Sequence, residues 1–269
     1  MEQNTEAVQE VENISVKADS CSFTVFIDVS SNITDNVPGV HNLDLLVYDE
    51  DGVGSLESWT RFNSLPDSIV VIGTKRAKTV VAIANSPRSF SRAAIERYDS
   101  IRLLSYDFDE DSPEAPLMSG TCSLVPDRPG HISLIPLMSR VLLCEVSNTM
   151  KGYARLEDPR IYLENMNAAA EILRNSDFRP SEVIDAENKV RLPYDIGLFS
   201  QQLGIPLYCF PNESPESTVG SPQTVFVLEC EIHGNTCRFP VTLNGLGRNK
   251  TLRLDLSISG PDLYDSKVY

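Results

Sequence analysis

Apolar and polar residues alternate with a period of two through most of residues 206–261. Within 223–232, Phe226, Leu228, Cys230 and Ile232 fall on one face, and Val225, Val227, Glu229 and Glu231 fall on the other. That alternation predicts a half-buried strand. His233 and Gly234 then form a two-residue turn, after which Cys237, Phe239, Val241 and Leu243 point inward and Arg238 and Thr242 outward. The combination is an antiparallel hairpin. Beyond the Gly245 and Gly247 turn, Leu252, Leu254, Leu256 and Ile258 alternate with Arg253, Asp255 and Ser257 in a last strand expected to close the same sheet. It ends near Ser259, leaving residues 260–269 with few apolar side chains.

The pattern upstream is similar. Strands are expected at 21–29, with Phe23, Val25, Ile27 and Val29 on one face, and at 43–48, 69–72 and 79–84. Asp51-Gly52 supplies a turn after the second of these. Residues 89–98 read as one short helix capped by Ser89 or Ser91. An acidic, proline-containing loop at 107–116 leads to a strand at 117–124. Pro126, Pro129 and Gly130 make the strongest break in mid-chain, because neither strand nor helix runs easily through them. Residues 132–146 form a long apolar strand interrupted by Pro136, and 160–163 another. Helical insertions are expected at 167–174 and 194–203. Residues 1–19, with Glu2, Glu6, Glu10 and Glu12, read as a flexible leader. The predicted fold is all-β: two Greek-key sandwiches, over 20–130 and 131–269, with short helical insertions.

Length supports that division, since 269 residues exceed one sandwich of ~100 residues. Apolar content of 41% is enough for two cores. A net charge of -15 repels phosphate backbones and anionic lipid surfaces, so nucleic acid is not an expected partner. Met1 is followed by a polar, acidic stretch without a basic region, an apolar core or a cleavage site. No apolar run is long enough to span a bilayer.

The ordered blocks LDLLVYDEDG, TVVAIANS, PLMSG and ISLIPLMSRVLLCEVSN, then YCFPNESPES, TVFVLECEIHG, CRFPVTL and GRNKTLRLDLSISGPD, resemble the Bacteroidales fimbrial (type V pilus) superfamily. The YDEDG hairpin and the Arg-Asn before the last strand are most similar to its FimB-type accessory and anchor proteins. The resemblance spans about Ser20 to Asp262 and implies transthyretin-like sandwiches. It further implies a non-enzymatic subunit of a bacterial cell-surface fimbria, joined to other fimbrial subunits by strand addition. A lipoprotein signal ending at a modified cysteine, and attachment to the outer membrane through that lipid, are implied as well. Cys21 lies too close to the first strand to be that cysteine. The other reading of the chain is a surface module that binds carbohydrate or a host protein.

Several clusters qualify as candidate sites. Asp107, Asp109, Glu110, Asp111 and Glu114 open like a calcium loop, but Ser112 and Met118 stand where a hand-type loop requires glycine and glutamate. A solvated loop is the expectation, and no metal or other cofactor is predicted. His41, His131 and His233 lie far apart, and no GxSxG, HExxH, phosphate-loop or GxGxxG motif occurs. No catalytic residues are predicted. Trp59, with Phe62 and Leu56, is either a half-buried core residue or an exposed contact. Lys75, Arg76 and Lys78 are expected to decorate a hairpin tip. The six cysteines contain no CxxC pair, so zinc is not expected. Cys230 and Cys237 lie opposite each other in the hairpin, as a bridge or as two buried thiols.

Overall fold

The computed structural model describes residues 20–152, 154–215, 220 and 222–269; the leader expected at 1–19 lies outside them. The described residues are dominated by strands arranged in sandwich-like sheets, as the period-two pattern predicts. The first half contains β1 (Ser20–Val29), β2 (Leu43–Asp49), β3 (Leu56–Phe62), β4 (Ile69–Thr74), β5 (Lys78–Ala84), β6 (Ser105–Asp107), β7 (Met118–Leu124) and β8 (Gly130–Pro136). Seven of these form one sheet in the order β3-β2-β5-β7-β8-β1-β4.

This sheet folds over on itself. β7 and β8 pair only at Met118–Pro136 and Ser119–Ile135, while the earlier residues of β8 run parallel to β1. Gly120 occupies the fold, where an added Cβ would lie 2.4 Å from the Ser133 carbonyl oxygen. Only glycine permits that approach. The layers on either side enclose one core, with Phe23, Val25 and Val71 facing Leu45, Val80 and Ala82.

β2 is buried on both faces. Leu43, Leu45 and Val47 enter the sandwich core, while Leu46 and Tyr48 enter another cluster that also takes Val81 and Ile83 from β5. A strand covered on both sides needs a near-continuous apolar run, and LDLLVYD is one. Ile95, Ile101, Tyr106, Ile172, Phe178 and Phe210 provide the cover, so segments from both halves of the chain meet on this face.

The second half contains β9 (Ser139–Asn148), β10 (Glu157–Glu164), β11 (Met166–Asn167), β12 (Ala169–Glu171), β13 (Val183–Ile184), β14 (Val190–Arg191), β15 (Phe199–Cys209), β16 (Val225–Ile232), β17 (Asn235–Thr242), β18 (Thr251–Gly260) and β19 (Leu263–Val268). Two four-stranded sheets, β14-β10-β16-β17 and β15-β9-β18-β19, share a core that includes Val141, Phe226, Phe239 and Leu254. The hairpin has the predicted register, with Cys230 opposite Cys237. His233 and Gly234 adopt φ of 53° and 77°, the positive values that a tight hairpin turn requires. All six cysteines are free thiols.

Five expectations need correction. β18 does not close the hairpin's sheet; it lies parallel to β9 in the facing layer. Residues after Ser259 are not a remnant, since β19 pairs antiparallel with β18. The helix at 89–98 is instead a short 3-10 turn at Arg92–Ala94 followed by a one-turn helix, α1 (Tyr98–Arg102). The helices expected at 167–174 and 194–203 are replaced mainly by strands: β12 pairs with β6 and β15 with β9. The Pro126–Gly130 break turns between β7 and β8 inside one sheet, and β8, assigned from sequence to the C-terminal side, pairs with β1 and β7. The strands change sheets at Leu137–Met138 instead.

Candidate assembly surfaces and cleft

β3 and β4 are the two unpaired edges of the first sheet. The folding of that sheet opposes them across a groove of about 500 Å³, floored by Leu45, Phe62, Ile69 and Val71 with Ser58 and Thr60 at its lip. Unpaired edges present free backbone donors and acceptors to another strand. β4 also exposes Val70 and Ile72, at 64% and 73% of their surface, without the lysine or proline that usually blunts an edge. β3 was not recognised in the sequence, because only Leu56 and Phe62 are apolar on the face they share with Ser58 and Thr60, and Glu57 and Arg61 flank Trp59 on the other.

In the second half of the chain, β19 forms a sheet edge that is largely exposed. Its chain continues to Tyr269, whose backbone exchanges two hydrogen bonds with Arg253 at 2.8 and 3.0 Å. Tyr264 anchors the strand by stacking edge-on against Phe239 at 5.5 Å and by donating its hydroxyl to the Pro240 carbonyl.

A cleft of about 730 Å³ lies between the loop after β6 and the strands β10, β11, β13 and β15. Its apolar lining includes Phe108, Leu163, Met166 and Leu207, with the rings of Tyr162 and Tyr208. Asp107, Asp109, Glu182, Asp185 and Glu187 also line it, and all five are exposed. Lys189 and Arg238 stand close by over the Tyr162 ring. They are engaged with Glu229 and Glu164.

The sequence-derived candidates are dispersed by the fold. Trp59 lies in β3, half-buried, donating its indole N–H to Asp44 at 2.9 Å and meeting Phe90 edge-on. It is not an exposed platform. Burial raises the Asp44 carboxyl above its ordinary pKa, against the opposing effects of the Trp59 hydrogen bond and Arg61. Of the basic trio, Lys78 is wholly buried rather than at a tip: its ammonium lies 2.8 Å from both Asp49 and Glu57, and Arg76 caps the other Asp49 oxygen. His41 and His131 lie on separate elements, His131 stacked on Phe26 at 5.2 Å, and His233 belongs to the hairpin turn.

The acidic run separates into individual roles. Asp107 and Glu110 form a capping box around the 3-10 turn Phe108–Glu110, and Glu110 pairs with Arg88. Asp111 turns inward, accepting from the Leu117 N–H at 2.7 Å and the Ser112 N–H at 2.8 Å, while its second oxygen is buried without a partner. Burial pushes its carboxyl up to about 7. Among the described residues no cluster of three or more His, Cys, Asp or Glu is placed to hold a metal ion.

Arg248 is the densest polar junction. It is 8% exposed and donates to the carbonyls of Pro136, Ile172, Arg174 and Ile135 at 2.8–3.1 Å and to the Ser119 hydroxyl at 2.9 Å. Asn249 extends the junction, accepting from the Asn32 N–H and donating to the Ser30 carbonyl. The sequence marked this Arg-Asn pair only as part of a resemblance.

No family model matches the chain, and no curated protein matches it in sequence. Solved structures do match. A candidate cell-adhesion protein from Bacteroides eggerthii superposes with a TM-score of 0.70 at 13% identity, covering 93% of this chain and 95% of that one. The fimbrilin FimA of Porphyromonas gingivalis gives 0.66 at 13%, over 88% and 90%. The tip fimbrial protein Mfa3 of Porphyromonas gingivalis, in a C-terminally truncated form, gives 0.62 at 14%, over 93% and 99%. The chain therefore has the fold of Bacteroidales fimbrial and cell-adhesion proteins over nearly its whole length.

Proposed function

We propose that this chain is a non-enzymatic structural subunit of a bacterial cell-surface fimbria, an accessory or anchor component of FimB type that joins neighbouring subunits by strand addition. The observation that carries the reading is the groove between β3 and β4, where two unpaired edges border a floor formed by the core residues Leu45, Ile69 and Val71. A strand laid there would gain backbone hydrogen bonds along an edge and seat alternate apolar side chains on Leu45, Ile69 and Val71. The likeness in fold to fimbrial proteins supports the same reading. Its place is the outer surface of the cell, held by a lipid or by its neighbours.

The test is incorporation. A tagged copy expressed in the native host should co-purify with sheared fimbriae, and Val70→Lys with Ile72→Lys, which charge the β4 edge, should reduce that incorporation. Absence of the tag from fimbriae would refute the assignment. The purified chain alone, with and without trypsin trimming before Cys21, should remain monomeric. Regular ladders on denaturing gels would make it a shaft subunit instead.

A further inference from the structure

The cleft between the β6 loop and β10, β11, β13 and β15 has no part in the strand-addition groove, and its chemistry is different. Its lining is apolar and aromatic, with Phe108, Tyr162, Met166, Leu207 and Tyr208, and its volume of about 730 Å³ lies in the ~300–1,000 Å³ range of ligand pockets. Five carboxylates line it, with no lysine or arginine among the lining residues. No ion pair among the described residues takes Asp107, Asp109, Glu182, Asp185 or Glu187. The two nearby cations, Lys189 and Arg238, are held by Glu229 and Glu164.

We propose that this cleft binds a short basic peptide segment of a partner protein, with lysine or arginine heads among the carboxylates and apolar stems and neighbours on the aromatic lining. Long basic side chains suit such a surface because their methylene stems pack on apolar groups while the charge stays in a wet acidic rim. Tyrosine faces add cation–π attraction. A neutral saccharide would use the rings but would gain no Coulombic attraction from five carboxylates, and an acidic segment would be repelled. The chain's charge of -15 draws a basic partner toward the surface generally; the cleft is where apolar area coincides with carboxylates outside any ion pair, of which Asp107 caps its 3-10 turn and Asp185 accepts the Asn165 N–H.

The experiment is calorimetric titration of the full chain with a short synthetic peptide alternating lysine and leucine. Its glutamate-for-lysine counterpart and a neutral N-acetylglucosamine oligomer serve as comparisons. The lysine peptide should bind and the other two should not. Affinity should fall with salt as the screening length contracts from ~10 Å at 0.1 M to ~3 Å at 1 M. Asp109→Asn, Glu182→Gln and Glu187→Gln together should weaken binding by about tenfold, and Ala186→Arg, which puts a cation in the cleft, should weaken it similarly. Glu96→Gln, Asp127→Asn and Asp262→Asn remove the same net charge elsewhere and should leave affinity unchanged. Equal loss in both triple variants would reduce the effect to diffuse net charge and overturn the site. So would binding of the oligosaccharide in place of the peptide, or no binding of the peptide at all. The titration needs no fimbria, so it stands or fails separately from the assembly role.

Discussion

Replacing Arg248 with methionine should destabilise the protein more than any surface substitution, and the structure gives the size of the effect. The guanidinium is almost wholly buried and donates to four backbone carbonyls and the Ser119 hydroxyl. Methionine retains the bulk and removes the donors, stranding carbonyls at Ile135, Pro136, Ile172 and Arg174. Each stranded group costs about 1–3 kcal/mol, though Ile172 also accepts from Ser119 at 2.6 Å. With the Ile135, Pro136 and Arg174 carbonyls each losing this donor, the expected loss is about 3–5 kcal/mol. Against a total stability of about 5–15 kcal/mol it is a large fraction. Lysine keeps the charge but not the planar fork, and should recover about half.

Urea denaturation followed by tryptophan fluorescence measures the loss. The single Trp59 lies in the first half of the chain, so circular dichroism should be followed in parallel. The acceptors belong to β7 and β8 on one side and to residues 172–175 on the other, so losing Arg248 should also loosen the junction between the halves. The two probes should then separate in the variant while coinciding in the parent. A Ser119→Ala, Arg248→Met cycle should show coupling of about 0.5–3 kcal/mol. A loss under about 1 kcal/mol with coincident transitions would refute the view of Arg248 as the polar staple of the fold.

Other outcomes follow from the same geometry. Phe239→Ala and Leu254→Ala should each cost about 2–5 kcal/mol in denaturant melts, while Arg253→Ala, on an exposed position of β18, should stay within about 0.5 kcal/mol. The Asp111 carboxyl is raised to about 7 from an ordinary 3.8. The folded state therefore holds its proton more tightly than the unfolded chain does, and its contribution is full below about pH 4 and is lost as pH rises through 7. Asp111→Asn should accordingly stabilise the protein at pH 8 by up to a few kcal/mol and much less at pH 5, read as the difference between variant and parent melts at each pH. We propose, finally, that the chain divides into two units at Leu137–Met138. A site-specific protease sequence inserted between Pro126 and Arg128 should then give fragments that stay together on size exclusion, because β8 remains paired with β1 and β7; separation into compact 20–127 and 128–269 pieces would restore the earlier boundary.

The parts of this fold legible from sequence were those in which one strand face is buried and the other wet. β16 and β17 show strict alternation around a turn whose residues tolerate positive φ, so even their register could be read. β3 and β19 were missed because an edge strand buries little: LESWTRF and LYDSKV carry charges where a central strand would carry valine. The helix expected at 167–174 rested on the propensity of NAAAEILR. β12 instead pairs with β6, and the Ile172 N–H reaches the Leu104 carbonyl at 2.9 Å. A weak local preference gave way to a cross-chain ladder. Nothing local distinguishes β18 as a continuation of the hairpin's sheet from β18 as a strand of the facing layer, because either placement buries the same face.

The acidic run 107–114 shows why the functional surface was harder to read than the fold. As a string of charges it predicts one behaviour, solvation. In the structure Asp107 is spent on a capping box, Glu110 on Arg88, and Asp111 on two inward backbone donors near the Arg248 junction, while Asp109 remains at the rim of the cleft. What separates them is the direction each side chain takes from a tight 3-10 turn, and that turn is held by residues elsewhere: Phe108 by the Phe210 ring at 5.4 Å and by the Ala168 carbonyl at 2.9 Å. The cleft's acidic rim therefore depends on contacts between the two halves of the chain. A substitution that loosens that junction should blur the cleft before it unfolds either core.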